Sequence, residues 1–215
     1  MGGSDSGVPG AFDALLVDYG GVLTNALNPL LQEFCRSLDL HEDAVTRLLT
    51  DESEHLPLFH AYERGELTAD EFLPQFAAAL GITTDELDLM LADLRPDERM
   101  FQAIGEARRQ GIKTSLVSNS WGTALYPRDL LAEAFDDVVI SGEVGLRKPD
   151  VAIFSLAVER LGVDARRCVF IDDTVSHFVG AEALGISVVH HQEPEATILQ
   201  LEAILGLNLE PSRVR

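Results

Sequence analysis

At 215 residues, with hydrophobic residues at 46% and charged residues at 24%, the chain has the size and balance of one large globular domain or one domain carrying an insert, and disorder, collagen and repeat-fibre readings are excluded. Lys plus Arg number 16 against 36 Asp plus Glu, a net charge of −20 whose sign argues against nucleic acid or anionic membrane as partners. An anionic ligand would need a locally positive site made by a metal ion, a placed Lys or Arg, or helix N-termini.

Met1 to Gly10 is rich in Gly and Ser, lacks the basic and apolar regions of a secretory leader, and reads as a loose tail. No run reaches the ~18 apolar residues of a membrane helix. Cys35 and Cys168 stand without CxxC or His spacing, which predicts two buried thiols in a reducing cytoplasm rather than a disulfide or zinc site.

Ala14 to Val17 is a short apolar run ending in Asp18, Tyr19, Gly20 and Gly21, the pattern of a buried strand feeding a glycine turn. A helical period follows, with Asn28 as cap, Pro29 at the first helical position, and Leu30, Leu31, Phe34, Cys35 and Leu38 on one face. Thr68 with Glu71 and Thr83 with Glu86 fit capping boxes ahead of Phe72, Phe76 and Leu80, and of Leu87, Met90, Leu91 and Leu94. Asn25 to Arg95 is thus predicted to be all-helical, with Phe34, Phe72 and Phe76 forming a small core of its own.

From Pro96 the pattern alternates. A helix closes at Gly111, Ile112 to Val117 is a strand, and a helix runs from about Ala124 to Phe135. Asp137 to Ile140 is a strand, Asp150 caps a helix to Leu161, Cys168 to Ile171 is a strand, and Thr174 to Leu184 is a helix. Ile186 to Val189 is the last strand, and a helix from about Glu195 to Leu205 follows. Such alternation predicts an α/β fold: a Rossmann-like parallel sheet covered by helices on both faces, interrupted after its first strand by a small all-helical insert. The expected organisation is a tail over 1–10, an α/β core from 11–24 and 96–215, and a helical insert over 25–95.

Ligands of open parallel sheets sit beyond the carboxyl ends of the strands, so the polar residue after each apolar run is informative. These are Asp18, then Ser118 with Asn119, then Arg147, Lys148 and Pro149 in a loop, then Asp172 with Asp173. Singly, each has a plain structural use in capping or turning the chain.

Together, Asp18-Tyr-Gly-Gly-Val22, Val117-Ser-Asn119, Arg147-Lys-Pro-Asp150 and Phe170-Ile-Asp-Asp173 resemble the four motifs of the haloacid dehalogenase superfamily in order, over nearly the whole chain. The stretches Gly142 to Asp150 and Ala181 to Gly185 are similar to the subfamily IA branch, whose helical cap is inserted after the first motif. The resemblance implies a Mg²⁺-dependent phosphatase acting on a small phosphorylated substrate. Asp18 would be the nucleophile that forms an aspartyl-phosphate, and Asp18, the Gly20 carbonyl and Asp173 would hold Mg²⁺ with help from Asp172. Lys148 would offset charge, while Ser118 and the backbone N–H groups of the glycine turn, Gly21 among them, would hold phosphoryl oxygens. Asn119 and Trp121 would meet the substrate.

Many phosphatases of this family carry a second Asp two residues after the nucleophile as general acid and base, and here that position is Gly20. Three explanations stand: a substrate with a good leaving group, such as a sugar 1-phosphate; a proton from His55, His60 or Glu63 in the cap; or a silent domain that binds a phosphorylated ligand or a protein partner. Tyr19 is expected to point away from Asp18. Halide displacement is less favoured, since that branch lacks the paired Asp172-Asp173. His177, a helical turn beyond Asp173, either faces the site or orients its loop, and His190-His191 reads as solvated surface. Trp121 has the alternative of packing against the cap.

Overall fold

The computed structural model describes residues 12–50 and 53–210, so the tail expected over 1–10 lies outside the described residues. The first strand, β1 (Ala14–Val17), leads to five helices: α1 (Leu27–Ser37), α2 (Ala44–Leu48), α3 (Leu56–Glu63), α4 (Ala69–Leu80) and α5 (Thr84–Leu87). Then come α6 (Glu98–Arg109), β2 (Lys113–Ser118), α7 (Arg128–Ala134), β3 (Asp137–Ile140), α8 (Ser141–Val144) and α9 (Val151–Leu161). The chain continues through β4 (Cys168–Asp172), α10 (Phe178–Ala183), β5 (Ser187–His190) and α11 (Pro194–Leu205).

The five strands form one parallel, Rossmann-like sheet in the order β3-β2-β1-β4-β5, with Val17 paired to Leu116 on one side and Ile171 on the other. The chain winds outward from β1 through β2 to β3, then returns to place β4 and β5 on the other side. That reversal leaves a crevice beyond the carboxyl ends of β1 and β4. Strand alternation divides the core in two. Leu15 and Val17 pack with Met100, Ile104 and Leu201 on one face, while Leu16 packs with Ile153, Phe154 and Phe170 on the other.

The helices between β1 and α6 bury a third apolar cluster that includes Leu31, Phe34, Phe59, Tyr62, Phe72 and Phe76. Tyr62 stacks on Phe72 with centroids 4.2 Å apart, and Phe72 stacks on Phe76 at 5.1 Å. Chain exit and re-entry are stitched together: the Asn25 N–H donates to the Arg95 carbonyl at 3.0 Å, and the Arg95 N–H donates to Asn25 Oδ1 at 2.8 Å. Both expected capping boxes form, Glu71 and Glu86 each accepting from the N-cap backbone N–H at 2.8 Å.

Several boundaries differ from the sequence pattern. Helix α1 begins at Leu27, so Asn28 and Pro29 lie inside its first turn, and no Asp150 side-chain bond caps α9. The helix expected over 124–135 is split by Pro127, which lacks an N–H and holds Tyr126 extended; a 3-10 turn (Thr123–Leu125) precedes α7. Helix α5 stops after one turn, and i→i+3 bonds continue through Met90 and Leu94 instead. Another 3-10 turn, Val175–His177, replaces the start of the helix expected from Thr174. Helix α8 carried no clear periodicity in so short a stretch.

Candidate active site

Asp18 follows β1, Ser118 ends β2, Asp172 and Asp173 stand at the end of β4, and Lys148 comes from the loop after α8. Lys148 Nζ lies 2.7 Å from Asp18 Oδ1 and 2.6 Å from Asp172 Oδ2, with the lysine fully buried. Its backbone is gripped at both ends by Asn119: the Lys148 N–H donates to Oδ1 at 2.8 Å, and Nδ2 donates to the Lys148 carbonyl at 3.1 Å. The Asn119 amide, expected at the substrate, is therefore spent on holding the loop that carries Lys148.

Both Asp172 oxygens are engaged. Oδ1 accepts the Thr174 N–H at 2.7 Å, and Oδ2 meets His177 Nδ1 at 2.9 Å in addition to Lys148. Burial alone would raise the Asp172 pKa, but the charge and hydrogen bonds of Lys148 and His177 outweigh it and lower it to about 2. Asp18 goes the other way: burial, then repulsion from Asp172, outweighs Lys148 and raises its pKa well above the usual carboxylate range. Asp173 is also raised, by burial and by Asp172. Lys148 thus pairs with two of these three carboxylates, and the cluster holds more carboxylate than ammonium.

Asp173 sits where only glycine fits opposite it. Gly21 has φ +76°, and a Cβ there would lie 2.2 Å from Asp173 Oδ2. The Gly21 N–H donates to Thr24 Oγ1 at 3.0 Å, so this expected phosphoryl donor is committed within the turn. Ser118 Oγ pairs with the Tyr126 hydroxyl at 2.9 Å, a partner that the sequence pattern did not reveal.

Asp18, Gly20, Ser118, Asn119, Trp121 and Asp173 line one cavity of about 350 Å³, with Lys148 and Asp172 buried behind Asp18. Tyr19 lines it too, while packing with Leu15 and Val17 in step with strand alternation; its ring lies 4.8 Å from that of Tyr126. Trp121 meets the cavity and also packs its ring edge-on against Phe59 at 4.8 Å. His177 reaches the cavity while bonded to Asp172, whereas His191, expected to be solvated, is buried with Nδ1 2.9 Å from Thr197 Oγ1.

Of His55, His60 and Glu63, it is Glu63 that lines the cavity. Burial raises the Glu63 pKa despite Arg147, whose Nε donates to Glu63 Oε2 at 2.7 Å. The same end of α3 is fastened to α8: Ser141 Oγ donates to the Glu63 carbonyl, and a Cβ on Gly65 would lie 2.4 Å from the Gly142 carbonyl oxygen. Sequence reading had no signal for these ties.

For a hard divalent cation, the donor set is suitable. The Asp18 carboxylate faces the cavity and that of Asp173 stands beside the glycine turn, while Asp172 and His177, within 4.8 Å of Asp18, are bonded to each other. The excess of buried carboxylate over ammonium is the imbalance that such an ion offsets.

A parallel sheet with a carboxylate at the end of β1 and a buried Lys-Asp cluster beside it defines a hydrolase-type site on a Rossmann-like frame. The haloacid dehalogenase-like hydrolase family model matches residues 12–185, and the chain belongs to that family and is a hydrolase. It is 25% identical over 202 residues to the sesquiterpene phosphatase astK of Aspergillus oryzae, covering 91% of this chain and 97% of that protein. It is 31% identical over 212 residues to mouse acyl-CoA dehydrogenase family member 10, covering 93% of this chain but spanning only 20% of the mouse protein's length. A haloacid dehalogenase family enzyme of Bacteroides thetaiotaomicron, solved with magnesium and inorganic phosphate, shares the fold with a TM-score of 0.64 at 22% identity, over 84% of this chain and 94% of that one. Among the described residues, no helix is long and apolar enough to cross a membrane.

Proposed function

We propose that the protein is a Mg²⁺-dependent phosphatase that hydrolyses a small phosphorylated metabolite through an aspartyl-phosphate on Asp18. The observation that carries this reading is the buried Lys148 ammonium bridging Asp18 and Asp172 at 2.7 and 2.6 Å, directly behind the Asp18 carboxylate that lines the cavity. The named activity of the Aspergillus relative and the magnesium and phosphate bound to the Bacteroides enzyme support it.

An Asp18 carboxylate oxygen bonds to phosphorus as the ester P–O bond breaks, and the departing alkoxide takes its proton from water. A water oxygen then bonds to phosphorus as the bond from Asp18 to phosphorus breaks, giving phosphate, which keeps a water proton, and the free Asp18 carboxylate. The net change is ester plus water to alcohol plus phosphate. Asp18, Asp173 and the Gly20 carbonyl would hold Mg²⁺, with Asp172 anchoring Lys148 behind them. When bound, the ion supplies the positive charge that lets Asp18 stay ionised and meet an anionic phosphate. Lys148 neutralises charge gathering at the nucleophile, and the Ser118 hydroxyl, oriented by Tyr126, donates to a phosphoryl oxygen. The helices over 25–95 act as a cap over the crevice. Two free, buried thiols, Cys35 and Cys168, fit a cytoplasmic location.

Gly20 leaves the departing oxygen without a neighbouring acid, so turnover should depend steeply on leaving-group acidity, with aryl phosphates outrunning alkyl ones. The test is phosphate release from p-nitrophenyl phosphate, with Mg²⁺ and with EDTA, for wild type and Asp18→Asn. Release that needs both the metal and Asp18 is expected. No release from folded protein that binds Mg²⁺ would sink the reading in favour of a silent binding domain.

A further inference from the structure

The polar chemistry of the cavity lies mostly on its floor, and its upper walls are largely apolar, with Asn28, Thr46 and Glu63 as the polar side chains that the helical segment adds. Leu27, Leu31, Leu49, Leu91 and Leu94 reach it from the helical segment, and Leu125 and the Trp121 ring face it from the loop after β2. Polar groups that could read hydroxyls on a bound ligand are mostly committed elsewhere. The Tyr19 hydroxyl donates to the Leu125 carbonyl at 3.4 Å, the Tyr126 hydroxyl pairs with Ser118, and Thr46 Oγ1 donates to the Asp43 carbonyl at 3.0 Å. Asn119 is held by the Lys148 backbone. A sugar entering this space would trade its water for leucine side chains and leave hydroxyls unpaired, which is costly. An alkyl or prenyl chain would bury apolar surface on both sides.

Resting on the phosphatase reading above, we infer that the substrate is the phosphate monoester of an apolar alcohol, its phosphate at Asp18 and its hydrocarbon chain among the leucines. A cavity of about 350 Å³ has room on the order of a dozen water-sized groups, which suits a medium-length chain. This departs from the sugar phosphate that Gly20 alone suggested.

The chain-length dependence of hydrolysis tests the inference, because straight primary alcohols share nearly the same leaving-group acidity. With Mg²⁺ present, kcat/KM for n-alkyl phosphates from ethyl upward should climb by up to about fourfold per added methylene until the pocket is filled. Glycerol phosphate and glucose 6-phosphate should fall below the alkyl esters of similar size. Leu91→Asn should flatten the climb. A citronellyl phosphate arm set against decyl phosphate tells a branched isoprenoid chain from a linear one. A series flat in chain length, or a hexose phosphate preferred over hexyl phosphate, overturns the inference while leaving the phosphatase intact. Release from none of the esters, p-nitrophenyl phosphate included, overturns the phosphatase reading and this inference with it.

Discussion

The two sides of the cavity are built by opposite means. On the sheet side, charged groups are buried and each is held by several partners, as Lys148 is by Asp18, Asp172 and Asn119. On the helical side, the wall is mostly leucine, Thr46 bonds to the Asp43 carbonyl, and Glu63 is held by Arg147. One side fixes atoms to within a hydrogen bond, as bond-making requires; the other excludes water from whatever enters. Reaction type therefore belongs to the strand ends and substrate choice to the helices, and substitutions on the two sides should separate accordingly.

The largest effect should come from Lys148→Met. Removing the ammonium leaves Asp18 and Asp172 buried without their cation, and breaking such a buried pair costs about 3–5 kcal/mol, moderated for Asp172 by its bonds to Thr174 and His177. Urea unfolding should register the loss, and turnover should fall by roughly 10²–10³, the range for deleting a charge-stabilising donor. Full activity in this variant would break the division between the two sides.

Glu63→Ala ranks next, since it strips Arg147 of its carboxylate at a contact where helical segment and sheet meet. The Glu63 side chain is 4% exposed and that of Arg147 15%, so the guanidinium recovers some water and the cost should lie near the low end, about 3 kcal/mol. Adding Arg147→Ala should return part of the stability, and a double-mutant cycle measures the coupling. Strict additivity would mean that the tie contributes nothing across the junction.

Much of this division was readable before any coordinates. Parallel strands place the residue after each apolar run at the ligand end of the sheet, so Asp18, Ser118, Lys148 and Asp173 could be picked out from local pattern alone. The capping boxes at Thr68 and Thr83 were legible because the two partners of a capping box lie only three positions apart. The partners were not. Tyr126 on Ser118 depends on Pro127 ending a helical pattern, and Glu63 finds Arg147 across 84 positions of sequence. The leucine wall was hidden because leucines at helical spacing read as core, and which of them face an open cavity is decided by the packing of several helices.

A smaller effect tests the sheet side at its rim. His191 is buried against Thr197, and burial lowers its pKa, so the folded state favours the neutral ring. Its contribution is fully present above the unfolded pKa of about 6.5 and is lost as pH falls below it, at no more than about 1.4 kcal/mol per pH unit for a single proton. In His191→Gln the acid-side loss measured by thermal or urea unfolding should be shallower. An unchanged slope would mean that the ring can be protonated without leaving its place.

Thr68→Ala should be smallest, and it sharpens the comparison because it touches the helical side alone. Thr68 opens α4, where Glu71 Oε2 accepts from both its backbone N–H and its hydroxyl at 2.8 Å. Replacing such a cap costs about 1 kcal/mol. Helix α4 supplies Phe72 and Phe76 to the helical cluster and no residue to the charged floor. Hydrogen exchange should therefore quicken in α4 and its packing partners, with the protection of β1 and β4 unchanged at conditions where local opening dominates. Turnover of a small ester should hold while KM for a long-chain ester rises. Equal loss of protection in the central strands would show that the helices and sheet unfold as one unit, and that specificity and chemistry are less separable than their walls suggest.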